Sequence, residues 1–374
     1  MVYLDNSATT KPSKQTIQYI NKALEENWGN PSSLHGIGFD AEMLLNDARE
    51  TVAQSIGAKP EEIIFTGSGT EANNTAIMSA IHKLSQGNRI ITTAIEHPSV
   101  LETVKRLEGK GFEVIRLGVD SSGKIDLNQL KNHLNSKTVL VSIMLVNNEI
   151  GSIQPVSQAS KIIKEIAPRA IFHCDAVQAY GKLPINVKDL GVDLMTASGH
   201  KIHGPKGIGF LYCKKGISIK PLITGGGQER GMRSGTEPIP LIAGLMGAIK
   251  DLGDIKSNYN KTEELWDYAA ESFENSGIAT VTSPKDSCPY ILNISVVGYR
   301  SETLLHFLES KGIYVSSGSA CAKGEQSHVL KEIGLDKKRS DSALRLSFSK
   351  ENTKEDIDLT LCALKSATEK LRRS

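Results

Sequence analysis

Between Glu62 and Ala167, short β-rich runs alternate with segments patterned for helix, and this alternation constrains the fold more than any other feature of the 374-residue chain. The runs Glu62 to Thr66, Arg89 to Thr93 and Thr138 to Leu145 are each followed by a helix-like stretch: Glu71 to Leu84, Val100 to Gly109 and Val156 to Ala167. Such a repeat predicts an α/β fold, a mainly parallel sheet sandwiched by helices, because parallel neighbours need a crossover long enough to hold a helix. Further strands are expected at Ala170 to Cys174 and Asp193 to Ala197. After about Asp251 the pattern changes. Tyr290 to Val297, Ser301 to Lys311, Tyr314 to Ser317, Ala343 to Phe348 and a long helix from Lys354 to Arg373 predict a smaller α+β unit. The expected division is a large domain over residues 13–250 and a small one built from residues 1–12 and 251–374.

Composition removes several functional classes. Charged residues make up 23% and the formal net charge is +2, too weak a field to argue for nucleic acid or a membrane surface. No apolar run reaches the roughly 20 residues of a membrane span, and the start MVYLDNSATTKP lacks a basic stretch followed by an apolar core. Five cysteines, an odd number with no CxxC pair, fit neither a disulfide framework nor a zinc site, so no metal is expected. A cytoplasmic protein acting on a small molecule is the expectation.

In a sheet of this kind ligands bind beyond the carboxyl ends of the strands. Gly67-Ser68-Gly69-Thr70-Glu71 follows the first strand and opens a helix, whose free N–H groups and dipole suit an anion. It matches neither the Walker pattern nor GxGxxG, so no nucleotide is implied. The next strands end at Glu96-His97-Pro98, at Asn147-Asn148-Glu149 and at Asp175-Ala176-Val177-Gln178. Singly, His97 suits a hydrogen-bonded structural histidine, Asn148 a turn and Asp175 a helix cap. Their recurrence along one edge points instead to a ligand with several polar points. Between two apolar runs lies SGHKIHGPKG, residues 198–207, with two lysines. A lysine, a carboxylate and an anion site are together what pyridoxal phosphate requires: the lysine for its aldehyde, the carboxylate for its ring nitrogen, N–H and hydroxyl donors for its phosphate. Ser198 and His200 are then placed to reach the phosphate. The chemistry alone leaves both Lys201 and Lys206 open as the attachment point, with Lys206 reading more naturally as a surface residue.

From YLDNSATT through NPSSLH, TGSGTEANN, EHPSV, VNNEIG, HCDAVQ, SGHKIHGPKGIG, GGGQERGMRSGT and SSGSAC to ALRLSFS, the chain resembles the cysteine desulfurases of the class V aminotransferase group, which are fold-type I pyridoxal phosphate-dependent transferases. The resemblance implies that Lys201 holds the cofactor as a Schiff base, that Asp175 faces the ring nitrogen, that Gln178 contacts the ring hydroxyl and that His97 stacks on the ring. It places Gly69, Thr70, Ser198 and His200 around the phosphate and Asn148 near the ring hydroxyl and substrate. Thr236 matches a residue that reaches the phosphate of a neighbouring subunit, which implies a homodimer. Arg345 resembles the arginine that clamps the substrate carboxylate, a task suited to its planar fork.

Cys321, in a small and polar stretch beside Lys323, matches the thiol that receives sulfur as a persulfide. Cys174, Cys213, Cys288 and Cys362 are expected to be buried and inert. The implied reaction converts L-cysteine to L-alanine and passes sulfur to an acceptor protein, for iron–sulfur cluster assembly or for tRNA or cofactor thiolation. The segment AKGEQSHVL reaches the next helix sooner than in the commonest members, which leaves the acceptor open. An aminotransferase or selenocysteine lyase of the same fold is the nearest alternative; SSGSAC speaks against it.

Overall fold

The computed structural model describes residues 1–83, 85–317 and 327–373. Strands β1 (Ile63–Thr66), β2 (Arg89–Thr93), β3 (Glu113–Leu117), β4 (Thr138–Ser142), β5 (Ile171–Asp175), β6 (Leu194–Ser198) and β7 (Gly209–Cys213) form a seven-stranded sheet in the order β1-β7-β6-β5-β4-β2-β3. Strand β7 runs antiparallel to both of its neighbours, and the other pairings are parallel. The expected strands are therefore present, each displaced by at most a few residues, while the edge strand β3 was not anticipated. Its pattern is mixed, with exposed Glu113 and Arg116 and buried Leu117, as an edge strand with one neighbour allows.

The pleat explains why these strands read as continuous apolar runs. Successive side chains point to opposite faces, and both faces are covered. Ile63, Phe65, Ile91 and Met195 enter one core, while Ile64, Ile90 and Leu194 enter the other. The first core is closed by helices Gly36–Ser55 and Ile239–Asp251 and the second by Gly69–Met78 and Pro98–Glu108. Helix Ile239–Asp251 lies so close to helix Lys14–Glu26 that a Cβ on Gly244 would come within 2.7 Å of Ile20 Cγ1.

A second, antiparallel sheet joins β8 (Thr280–Val281), β9 (Ile291–Ser295), β10 (Ser316–Ser317) and β11 (Ala343–Ser347) in the order β10-β11-β9-β8. It packs a separate core with helices Ile255–Asn275, Ser301–Glu309 and Lys354–Lys370, centred on Trp266, Phe273, Leu292, Leu344 and Leu364. The run Tyr314 to Ser317, expected as one strand, divides at buried Val315. Ile313–Tyr314 pairs in parallel with Val2–Tyr3, and Ser316–Ser317 pairs with β11. The N-terminal segment then crosses between the two cores. Asp5 bridges to Ser347, and Thr10 N–H donates to the His200 carbonyl at 2.9 Å. Residues 5–10 are thereby laid across the carboxyl edge of the large sheet.

Cys174, Cys213 and Cys288 are buried as expected, whereas Cys362 is exposed. It sits in helix Lys354–Lys370 between half-buried Leu361 and buried Ala363, on the solvent-facing side of the helix.

The segment Gly225–Thr236 is pinned by a buried ion pair. Arg49 donates to both carboxylate oxygens of Glu229 at 2.7 Å, and Glu229 also accepts from Phe65 N–H at 3.0 Å. Glu229 and Arg230 adopt positive φ of 47° and 58°, a conformation that costs a non-glycine residue about 1–2 kcal/mol. The ion pair holds them there. Arg49→Ala strands the Glu229 carboxylate in the interior, so chemical denaturation should show a loss of about 3–5 kcal/mol; a loss below about 1 kcal/mol would contradict the assignment.

Candidate active site

Asp175 is the last residue of β5 and is 5% exposed. Its Oδ2 accepts from Asn73 Nδ2 at 2.6 Å and its Oδ1 from Val177 N–H at 2.9 Å. Asn73 donates also to Ser99 Oγ, 2.9 Å away, and Ser99 Oγ lies 2.8 Å from His97 Nδ1. A polar chain therefore runs from the carboxylate through Asn73 and Ser99 to the imidazole. His97 caps helix Pro98–Glu108 by accepting from Ser99 N–H, and burial lowers its pKa. Its ring is neutral near pH 7.

Lys201 ends the short helical turn after β6. Its Nζ donates to the carbonyls of Ser7 and Ala8 at 2.5 and 2.8 Å. Burial pushes its pKa down to about 7, and Lys182 and Arg345 act in the same direction. A large fraction of this amine is neutral at physiological pH, as a nucleophile or base must be. Lys206 is exposed.

Ser68 caps helix Gly69–Met78, and the absence of a side chain at Gly69 keeps the helix start close to Val177 and Ser198; a Cβ there would meet Val177 Cγ2 at 2.8 Å. His200 shares a hydrogen bond with Thr9 Oγ1 at 3.2 Å, and burial with Lys201, Lys206 and Lys182 nearby pushes it down to about 4. Gln178 donates to the Ser7 carbonyl at 2.9 Å. Arg345 donates from Nη2 to Asp5 at 2.9 Å and from Nη1 to the Asn148 carbonyl at 2.9 Å, while its buried Nε has no partner among the described residues.

These groups line one cavity of about 530 Å³. Gly69, Thr70, His97, Asn148, Asp175, Gln178, Ser198, His200, Lys201 and Arg345 all border it. Thr236 does not; it is exposed in the segment pinned by Arg49 and Glu229. Cys321 lies outside the described residues. Asp5, Ser7, Ala8 and Asn73 also border the cavity and were missed as individual site residues. Asn73 left one signal: a poor helix former inside a helix, buried to 1%. Asp5, Ser7 and Ala8 left none, because only the fold brings the N-terminus over the sheet edge.

The class-V aminotransferase family model matches residues 2–360. The chain belongs to this family. A putative cysteine desulfurase IscS 1 of Bacillus subtilis (strain 168) is 42% identical over 95% of both chains. A solved NifS-like protein superposes with a TM-score of 0.94 at 39% identity, covering 99% of this chain and 100% of that one. A structure described as SspA in complex with cysteine has a TM-score of 0.83 at 32% identity, covering 94% of this chain and 100% of the other. Within the class-V aminotransferase family this chain falls among the cysteine desulfurases, which are pyridoxal phosphate enzymes.

The residues fit that cofactor. The cavity joins a buried carboxylate already fixed by two donors, a helix start narrowed by glycine, and an amine kept largely neutral by its surroundings. Stripped of cofactor, this class-V aminotransferase family member should show acylation of Lys201 with a pH midpoint near 7, against about 10.4 for an exposed lysine. Peptide mass spectrometry after pulse labelling measures this, and a midpoint above about 9.5 would contradict the site's electrostatics.

Proposed function

We propose that the protein converts L-cysteine to L-alanine and carries the released sulfur on Cys321 as a persulfide for an acceptor protein. The observation that carries the reading is the convergence of Lys201, Asp175, His97 and Arg345 on one cavity. When bound, pyridoxal phosphate draws electrons from the substrate amino acid and so weakens its Cα–H and Cβ–S bonds. Asp175, held by Asn73 and Val177 N–H, favours the protonated ring nitrogen. The start of helix Gly69–Met78, with Ser198 and the neutral His200, receives the phosphate.

Arg345 takes the substrate carboxylate, with its orientation set by Asp5 and the Asn148 carbonyl. The Lys201 amine removes the Cα proton and returns protons to the carbon skeleton, a role that its low proton affinity supports. His97 is placed to hold the proton of the substrate thiol. The Cys321 thiolate bonds to the substrate sulfur as the Cβ–S bond breaks; the electron pair of that bond stays with the carbon skeleton, which is protonated and leaves as alanine.

The active protein is a homodimer in this reading. Trp28, Leu34, Ile37, Phe39 and Met43 are large apolar side chains exposed on one chain, more than an isolated subunit usually leaves in one stretch. Thr236, exposed and outside the cavity of its own chain, is placed to serve the neighbour's phosphate. The selenocysteine lyase alternative is distinguished by the protein thiol.

Cys321→Ser should leave cofactor binding intact and abolish persulfide formation, so that intact-mass spectra after cysteine turnover gain no sulfur. Undiminished sulfur transfer by this variant would overturn the assignment. Arg345→Leu should lower kcat/KM for cysteine about 100-fold, from about 3 kcal/mol of lost charge-assisted hydrogen bonding. An unchanged KM and kcat would place the substrate carboxylate elsewhere.

A further inference from the structure

Lys182 lies outside the cavity that holds the reacting groups, yet its ammonium is among the least accessible charges in the chain. The residue is 5% exposed. Its Nζ donates to Gln178 Oε1 at 2.9 Å, four residues back in sequence, and stands 5.9 Å from the centroid of the Tyr290 ring. Among the described residues no carboxylate pairs with it. Burying an ammonium is costly, and an amide oxygen with an aromatic face offsets only part of that cost. A methionine or leucine would fill the same volume more cheaply, so the charge calls for an explanation beyond packing.

Two consequences follow from its position. An ammonium has three donors and no acceptor, so Gln178 must present Oε1 to it and direct its NH2 the other way, toward Ser7 and the cavity. Lys182 and Lys201 also line a common crevice behind the site, bordered by Gly181, Ile202 and Tyr290, where little water screens one charge from the other. Burial lowers the pKa of Lys182 only to about 8, so it remains mostly charged at pH 7.

We propose that Lys182 is a positioning residue for the reaction: it fixes the Gln178 amide with its donors toward the cavity, and its charge adds to burial in keeping the Lys201 amine free of its proton. The groups facing Lys201 are Lys182 and Arg345, which oppose its charge, and Asp5 and Asp175, which favour it. The imidazoles of His97 and His200 complete the set. Arg345 is bonded to Asp5, which partly cancels it. Among the described residues Lys182 has no such counter-charge; buried Cys288 and the Arg345 cation are the other titratable groups that act on it. That makes it the uncompensated cation in the set.

The inference rests on Lys201 being the cofactor lysine, but its test is read without cofactor. In the full chain freed of pyridoxal phosphate, the pH midpoint of Lys201 acylation is measured for the native protein, Lys182→Met, Lys182→Gln and Lys182→Arg. Removing the charge should raise the midpoint by about one pH unit, and Lys182→Arg should return it toward the native value. In reconstituted enzyme, where the Lys201 amine is free only after substrate has displaced it, the acid limb of the kcat profile should move the same way. A native midpoint in a folded Met or Gln variant overturns the proposal; if Lys182→Met fails to fold, the Gln variant decides between the same two outcomes. An arginine variant shifted as far as the methionine one would assign the effect to packing and overturn it equally. Attachment of the cofactor to another lysine would sink the catalytic reading of Lys201 while leaving this midpoint as measured.

Discussion

The withdrawal of the Lys201 amine from water is the constraint on which the site depends. An isolated ammonium there would be expensive, and its neighbours add repulsion from Lys182 and Arg345. What stabilises the group is the pair of carbonyls from Ser7 and Ala8, which accept N–H donors from either protonation state. The amine is therefore held in place without being held charged. A carboxylate at the same distance would have fixed it equally well and destroyed its reactivity.

That arrangement depends on parts of the chain remote from one another. The turn bearing Lys201 is set by the hairpin of β6 and β7, and the two carbonyls come from the N-terminal segment. That segment is anchored on the far side by the Val2–Tyr3 pairing, by the Asp5 to Ser347 bridge and by the Asp5–Arg345 ion pair. Both cores thus contribute to one cavity wall. Asp175, in contrast, is supported by the two helices packed on the large sheet, through Asn73 and Ser99, and the same chain of hydrogen bonds aligns His97. Arg345 and Asp175, the proposed contacts of the substrate carboxylate and the cofactor ring, are supported by different scaffolds that meet at the cavity.

Much of this was legible in the sequence because strand ends in a parallel sheet share one edge. Ile63–Thr66, Arg89–Thr93 and Ile171–Asp175 stand out as continuous β-branched and apolar runs, so His97 and Asp175 could be located as neighbours from the sequence alone. The residues that stayed hidden act through tertiary contacts. Asp5 and Ser7 matter because the N-terminus is carried across the molecule, and Lys182 looks like any lysine after a glycine until its burial is seen. Cys362 departs from expectation for a related reason: the burial preference of cysteine is an average, and position on a helix face decides the individual case. The division of Tyr314–Ser317 shows the same limit, since two short pairings in different sheets read as one β-rich run.

The central claim is that one half-buried amine, Lys201, is the point at which cofactor and chain are joined. It is tested most directly by reducing the reconstituted protein with borohydride and mapping the stable pyridoxyl adduct by peptide mass spectrometry. The account predicts a single adduct on the peptide containing Lys201 and its loss in Lys201→Ala. An adduct on Lys182, on Lys206 or on no lysine of the SGHKIHGPKG segment would contradict it.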